Sequence, residues 1–459
     1  MNQVTVPIGA RLSELVGPGR VVADSSALAA YEVDGLQASS ALRPGSAAEI
    51  ADILRLAATE HLAVIPMAGR TKLGIGMPPR KYDLALDLSE MNRVLAYDPH
   101  DLTVSVEPGA HFADVESQLA QQRQFLPLAP AFADRATLGG MVAAGTDTPL
   151  RYGYGTARDC LLGLEFVTGE GIVSKSGGRV VKNVTGYDLH KFLIGSLGTL
   201  AVITRLNFRT FPLPQDRQMF VASFAEAQTA LELCAAIARS PLQPRLVDVI
   251  GPRTARLFAD RAAAHVPADR WSVVVEAAGH RAVVERHARD LDDLARKMHA
   301  AEFATMDESQ SDALFAAIRE FPRLITQHVP GAAIFRTAAL PGVMHAALQR
   351  AWAVAERHTL TLATLIRAAG VVYTALLPSA ANANSDAGAA SRIVPACREL
   401  MDSSVAAGAQ PMIEWCPLEV KAAMSVWPAP GSERALAQRL KNVFDPHAVL
   451  APGRFQGGI

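Results

Sequence analysis

Apolar positions recur at helical spacing through SAAEIADILRLAATE (46–60), where Ser46 and Glu49 stand at capping-box spacing, so a helix is predicted there. LAVIPMAG (62–69) and the partly alternating DLALDLS (83–89) read as strands joined by the glycine loop RTKLGIGMPPRK. RVLAYD (93–98) and LTVSVEPG (102–109) predict a hairpin around Pro99, His100 and Asp101, followed by a helix over 112–122. ATLGGMVAAGT (136–146) is a run of small residues, and LLGLEFVTGEGIVSKSGG (161–178) predicts a second hairpin turning at Gly169 to Gly171. In GGRVVKNVTGYDLHKFLIGSLGTLAVIT (177–204), Thr185 and Asp188 have the spacing of a helix start and Gly195 that of its stop, ahead of a buried strand.

Near residue 213 the texture changes. Pro212 and Pro214 precede alanine-rich helices that alternate with short strands. Ser223 and Glu226 make another capping-box spacing before AEAQTALELCAAIA, and RLVDVI (245–250), WSVVVEAAG (271–279), a long helix over 281–302 and AAIFRTAAL (332–340) follow. This half predicts a sheet layered with helices. PSAANANSDAGAAS (378–391) reads as a mobile loop, a candidate lid, entering a last helix.

Composition narrows the class. At 459 residues, 50% hydrophobic and 19% charged, the chain can fill compact cores in two or three domains of about 150 residues each. Lys and Arg number 44 against 45 Asp and Glu, a net charge of -1, so no general positive field exists to collect nucleic acid, and none is expected as a partner. No apolar run reaches the ~18 residues of a membrane span, and the start lacks a basic segment followed by an apolar one, so a cytoplasmic protein is expected. Four scattered cysteines without C-x-x-C, and histidines without H-x-x-x-H or H-E-x-x-H, lead us to expect buried thiols and no metal or iron–sulfur site.

Three segments can carry chemistry. In Pro66 to Gly76, three glycines and a threonine lie between two predicted strands, and such a loop can turn successive N–H groups toward a diphosphate, with Arg70 and Lys72 as charge partners. Ile75 and Gly76 stand where a Walker loop needs Lys and Ser or Thr, and Pro78 and Pro79 block the helix a Rossmann fingerprint requires. A turn without a ligand fits the same residues. In the second segment Thr137 can cap a helix whose first turn holds Gly139 and Gly140, leaving N–H donors and little bulk; tight helix packing explains the glycines as well. In the third, Asn183, Tyr187 and Asp188 are polar groups beside a glycine-rich apolar passage, suited to cofactor hydrogen bonds or to capping.

In order and spacing these segments resemble the FAD-binding domain of the vanillyl-alcohol oxidase or PCMH-type flavoproteins. KNVTGYDLHKFLIGSLGTLAVIT and FDPHAVLAPGRF (444–455) are similar to the FAD-linked subunits of bacterial glycolate oxidase, especially its smaller FAD-binding subunit. The resemblance implies an α+β fold: a PCMH-type FAD-binding domain (1–213), a separate α/β cap (214–428) and a C-terminal segment (429–459) returning to the FAD site. It implies that Ala68, Gly69, Arg70, Thr71, Lys72, Leu73 and Gly74 wrap the FAD diphosphate, and that Thr137, Gly139 and Gly140 touch the flavin side. Tyr152 and Gly153 would form the next FAD-contacting turn, Gly198 and Val202 would offer backbone groups, and Arg454 would lie beside the isoalloxazine unless it makes a surface ion pair.

Departures from the family pattern set further expectations. No histidine lies between Pro66 and Gly76, so noncovalent FAD is expected. The cap motif H-x-G-D-G-N-x-H of related 2-hydroxy-acid dehydrogenases is replaced by Arg367-Ala368-Ala369-Gly370-Val371, so no metal site is expected. Arg367 is then a candidate carboxylate clamp and Glu414 or His328 a candidate base, each also explicable as an ordinary strand or loop residue. The implied function is oxidation of a small 2-hydroxy acid such as glycolate, in a complex with a second flavin subunit and an iron–sulfur subunit. A self-sufficient dehydrogenase of another hydroxy acid or alcohol, and a catalytically silent flavoprotein subunit, remain alternatives.

Overall fold

The computed structural model describes residues 8–179, 186–378 and 386–459. Asn183, Thr185 and half of the candidate lid, 379–385, lie outside them. The first sheet contains β1 (Val21–Val22), β2 (Ser40–Leu42), β3 (Val64–Met67) and β4 (Leu84–Asp87), in the order β1-β2-β4-β3, with β2 and β3 both parallel to β4. β2 and β3 flank β4 and run parallel to each other, so the chain must cross over between them; the helix Ala47–Thr59 makes that crossover, burying Ile50, Ile53, Leu54 and Ala57. Ser46 Oγ accepts the Glu49 N–H at 3.2 Å, as its spacing predicts. The Glu49 carboxylate instead accepts from Gly45 N at 2.9 Å and from Arg20, so the reciprocal half of the box falls one residue early.

The second sheet is antiparallel, ordered β5-β6-β10-β8-β9, from β5 (Val94–Asp98), β6 (Thr103–Val106), β8 (Leu161–Thr168), β9 (Val173–Gly177) and β10 (Ala201–Arg209). Both hairpins read from the sequence are present. A short pair, β7 (Gln124–Phe125) with β11 (Phe211–Pro212), leads out of this region.

From Asp216 onward the chain builds an antiparallel eight-stranded sheet, in the order β15-β12-β14-β13-β17-β18-β16-β19. Its strands are β12 (Asp216–Phe224), β13 (Leu246–Ile250), β14 (Trp271–Gly279), β15 (Glu302–Thr305), β16 (Ala333–Ala338), β17 (Thr361–Arg367), β18 (Val371–Leu377) and β19 (Gln410–Trp415). Side chains alternate between faces along a strand. Met219, Val221, Leu246 and Ile250 accordingly pack with Phe258, Leu314 and Phe321 on one face, while Phe220, Phe224, Val247 and Val249 pack with Leu233, Leu291 and Leu348 on the other.

Two expectations fail here for local reasons. Ser223 is not a cap: it lies in β12 with its hydroxyl 3.3 Å from Ser272 Oγ, and the helix Ala227–Arg239 starts after Glu226 without a side-chain cap bond. The helix predicted to 302 ends at Lys297, because His299 takes a left-handed backbone (φ 57°) that turns the chain into edge strand β15. The C-terminal residues return to the first sheet. Val64 N donates to Val449 O at 2.8 Å, Ala451 N donates to Val64 O at 2.9 Å, and Met77 N donates to Arg454 O at 3.0 Å.

Candidate active site

A cleft opens between β3, the loop after it, the helix Leu138–Ala144 and the turn before β10. Of the residues singled out in the sequence, it is lined by Ala68, Gly69, Arg70, Thr71, Lys72, Leu73, Thr137, Gly139, Gly140, Gly198, Val202 and Arg454. Residues scattered over the chain thus converge on one concavity.

The walls are bare backbone for steric reasons. A Cβ on Gly69 would stand 2.1 Å from Arg135 O, one on Gly139 2.5 Å from Pro108 Cβ, and one on Gly198 2.6 Å from Pro66 Cγ, where φ is also +71°. These three glycines let segments close up. Gly140 differs: it is exposed, and its nearest neighbour is the Thr137 hydroxyl at 3.1 Å. Among the described residues, the N–H groups of Gly69, Arg70, Thr71 and Lys72 find no acceptor. Thr137 Oγ1 and Arg454 Nη1 are likewise buried without a hydrogen-bond partner. Unsatisfied buried polar atoms on a glycine-lined wall are what a polar, phosphate-bearing ligand would complete, so these residues fit FAD.

Arg454 is no surface ion pair. It is 3% exposed, donates to Ile75 O at 2.7 Å and to Leu73 O, and thereby holds the loop after β3. Arg70, in left-handed backbone (φ 55°), lies over the Tyr31 ring at 4.8 Å and donates to Ala30 O at 3.1 Å.

Five residues fall elsewhere. Gly74 lies beside the Trp415 ring, and its carbonyl accepts from Lys421. Tyr152 and Gly153 sit in the short helix Arg151–Tyr154 against β13, where Gly153 is needed because a Cβ would meet Arg245 Cα at 2.7 Å and Tyr152 packs on the apolar face shared with Leu233. Tyr187 and Asp188 are exposed, Asp188 pairing with Lys191.

Next to the cleft is a small, narrow chamber, and Lys72 lines both. Its other walls include Thr146, Asp147, Arg319, Arg367, Tyr373, Glu414 and Trp415. Asp248, Arg336, Arg367, Tyr373 and Glu414 come from β13 and β16 to β19, at alternate positions that place them on one face of the sheet. Arg367 Nε donates to Asp147 Oδ2 at 2.6 Å and its Nη1 to Asp248, so its charge is committed within the protein. It is an anchor between sheet and cleft rather than the free clamp its sequence position offered. Burial pushes Asp147 up, but the charges of Arg367, Arg151 and Arg336 outweigh it and hold that carboxyl below the usual range. Asp248 has chiefly Arg367 to oppose its burial, with Asp147 adding repulsion, and is pushed up to about 7.

Two groups remain less committed. Glu414 is 5% exposed, its Oε2 has no hydrogen-bond partner, and burial raises its pKa against the opposing charges of Arg336 and Lys72. Lys72 donates one bond, to Ala131 O at 3.2 Å, and desolvation lowers its pKa to about 8. His328, the other candidate base, is exposed at the end of the helix Phe321–His328 and does not line the chamber. Among the described residues no group of three His, Cys, Asp or Glu side chains is arranged to hold a metal, and no helix is long and apolar enough to cross a membrane.

Comparison with known proteins agrees with this geometry. Residues 38–177 match the FAD binding domain family, and residues 213–369 match the C-terminal domain of FAD linked oxidases. Glycolate oxidase subunit GlcD of Bacillus subtilis is 25% identical over 342 residues, covering 71% of this chain and 72% of the relative. Glycolate oxidase subunit GlcE of Escherichia coli is 37% identical over 131 residues, 28% of this chain and 37% of that protein, so this match spans well under half of it. Among solved structures, p-cresol methylhydroxylase superposes with a TM-score of 0.79 at 17% identity over 97% of this chain and 95% of its own, a likeness of fold. The chain belongs to the FAD-linked oxidoreductases with a PCMH-type fold, and FAD is its cofactor.

Proposed function

We propose that the chain oxidises a small 2-hydroxy acid in the chamber beside the flavin cleft, as the FAD-binding subunit of a glycolate-oxidase-type complex. The observation that carries this reading is the shared wall: Lys72 faces both cavities, and the chamber beyond it holds the unpartnered carboxyl of Glu414. FAD would be held noncovalently by the N–H groups of Gly69 to Lys72, by Thr137 Oγ1 and by Arg454, with the ring edge over Gly140. When bound, it would supply the hydride acceptor.

Within the chain, Lys72 binds the substrate carboxylate, and Glu414 Oε2 takes the hydroxyl proton as the hydride leaves carbon. The raised pKa of Glu414 brings its proton affinity nearer working pH, which suits a general base. Electrons would leave through a second flavin subunit and an iron–sulfur subunit; the similarity to GlcD and GlcE, both named as subunits, supports a multi-subunit setting. The same proposal divides the chain at residues 213 and 428, with the last segment closing the cleft, and places the protein in the cytoplasm, meeting a membrane only through partners.

The test is to purify the chain alone and with its co-encoded neighbours, and to add glycolate and longer 2-hydroxy acids without oxygen. Bleaching of the flavin absorbance in the assembled complex supports the reading. Full turnover by the chain alone overturns the subunit role, and a bound flavin that no acid or partner reduces favours the silent subunit.

A further inference from the structure

The segment ahead of the helix Leu138–Ala144 holds a strained aromatic residue. Phe132 has φ +60°, the one Phe, Tyr or Trp in left-handed backbone among the described residues. A bulky side chain avoids that conformation, which persists only where the surroundings over-determine it. Here they do. Glu320, between the helices Glu308–Arg319 and Phe321–His328, accepts Phe132 N at 2.7 Å and Ala133 N at 3.3 Å. Phe132 O accepts Arg135 N at 3.0 Å and Ala136 N at 2.8 Å. The backbone is pinned at both of its polar groups, so freedom to move is left to the side chain.

Two cations share the Phe132 ring. Lys72 Nζ lies 5.7 Å from its centroid and the Arg323 guanidinium 5.6 Å, while the Trp415 ring packs 6.5 Å away. Lys72 and Trp415 line the chamber, as does Ala131, the residue before Phe132, whose carbonyl accepts from Lys72 at 3.2 Å. Arg323 is partly exposed and pairs with exposed Asp134. The ring thus separates the chamber walls from the surface. As built, the chamber has about 20 Å³ of free space, room for little more than one water. Even glycolate fits only when a neighbour yields. Displacing the ring frees space against both Lys72 and Trp415, and a carboxylate is a stronger partner for the Lys72 ammonium than an aromatic face.

We propose that Phe132 gates the chamber: its ring occupies the empty site beside Lys72, and the incoming acid evicts it toward Arg323 and the surface. This rests on the reading of the chamber as the acid-oxidising site. A site open in only about 0.1–10% of molecules binds its ligand about ten- to a thousandfold more weakly than an open one, and removing the gate restores that factor. A residue that merely packed the wall would act with the opposite sign, its removal weakening the site.

The test is stopped-flow binding of pyruvate, an unreactive 2-oxo acid, to the FAD-loaded chain, followed by flavin absorbance. Phe132→Gly removes the ring and accepts the left-handed backbone without strain. It is expected to bind pyruvate at least about tenfold more tightly than the wild type, with the gain in the association rate. Phe132→Leu shortens the side chain while keeping the strain, and should fall between the two. Flavin content reports that each variant has folded, and Phe132→Leu decides alone if Phe132→Gly loses its flavin. Unchanged or weaker binding in the variants overturns the gate and leaves the acid site standing. If pyruvate binds neither the wild type nor the variants, the gate and the chamber's assignment fall together.

Discussion

The Lys421 ammonium lies 2.7 Å from Asp34 Oδ1 and equally 2.7 Å from Gly74 O. One side chain from a helix that follows β19 thus holds both the N-terminal region and the loop beside the cleft. The pair is almost fully buried, and the second Asp34 oxygen has only Arg454, at 3.9 Å, for company. Lys421→Met should strand that carboxylate, costing about 3–5 kcal/mol. Denaturant unfolding of the FAD-free protein measures the loss; a change under about 1 kcal/mol would show that Asp34 finds water or Arg454 instead.

The two adjacent glycines on the cleft wall should behave differently. Gly140→Trp puts bulk on the exposed cleft wall, where only the Thr137 hydroxyl must give way, and should abolish flavin retention while changing the melting temperature of the FAD-free protein little. Gly139→Ala meets Pro108 and should lower that temperature. Yellow colour after gel filtration and a thermal melt read both; full flavin occupancy in Gly140→Trp would remove the ring from that position.

Lys72 gives a pH signature. With its pKa lowered to about 8, the ammonium is charged below that pH and neutral above it. Affinity for a carboxylate ligand should therefore be level below about pH 8 and fall about tenfold per unit above it. Lys72→Met should bind weakly with no break near pH 8, as flavin absorbance changes on titration would show.

Glu414→Gln keeps the shape of the chamber and removes its proton acceptor. The rate of anaerobic flavin reduction should drop about 100- to 10,000-fold with FAD content unchanged. In the wild type the rate should rise with pH through a midpoint above the ordinary carboxylate range, and in the variant that limb should vanish. A variant reduced at the wild-type rate would mean that Glu414 is an ordinary buried carboxyl.

The sequence exposed the parts governed by local rules. Ser46, the hairpin at Gly169 to Gly171 and the loop from Ala68 to Leu73 could be read because capping, turn chemistry and glycine spacing act over a few residues. Tyr152 and Gly153 do not line the cleft, and the sequence could not tell this, because a glycine needed for close packing against Arg245 looks the same as one needed for a ligand. The Arg367–Asp147 bond joins positions 220 residues apart, and no short-range pattern announces it. A signal was nonetheless present: Asp248 in LVDVI, Arg336 in AIFRTA, Arg367 in TLATLIR and Glu414 in QPMIEW are charged residues at strand positions whose neighbours two away are largely apolar, which marks a polar patch on a buried face.

The hydrogen bonds between Val64 and the backbone at 449–451, with Arg454 gripping the loop at 73–75, have a consequence for biosynthesis. A ribosome delivers β3 hundreds of residues before the stretch that seals it. The coenzyme pocket of a nascent chain stays one wall short until the eight-stranded sheet has been threaded out, so tight flavin capture should wait until residues 449–454 have been made.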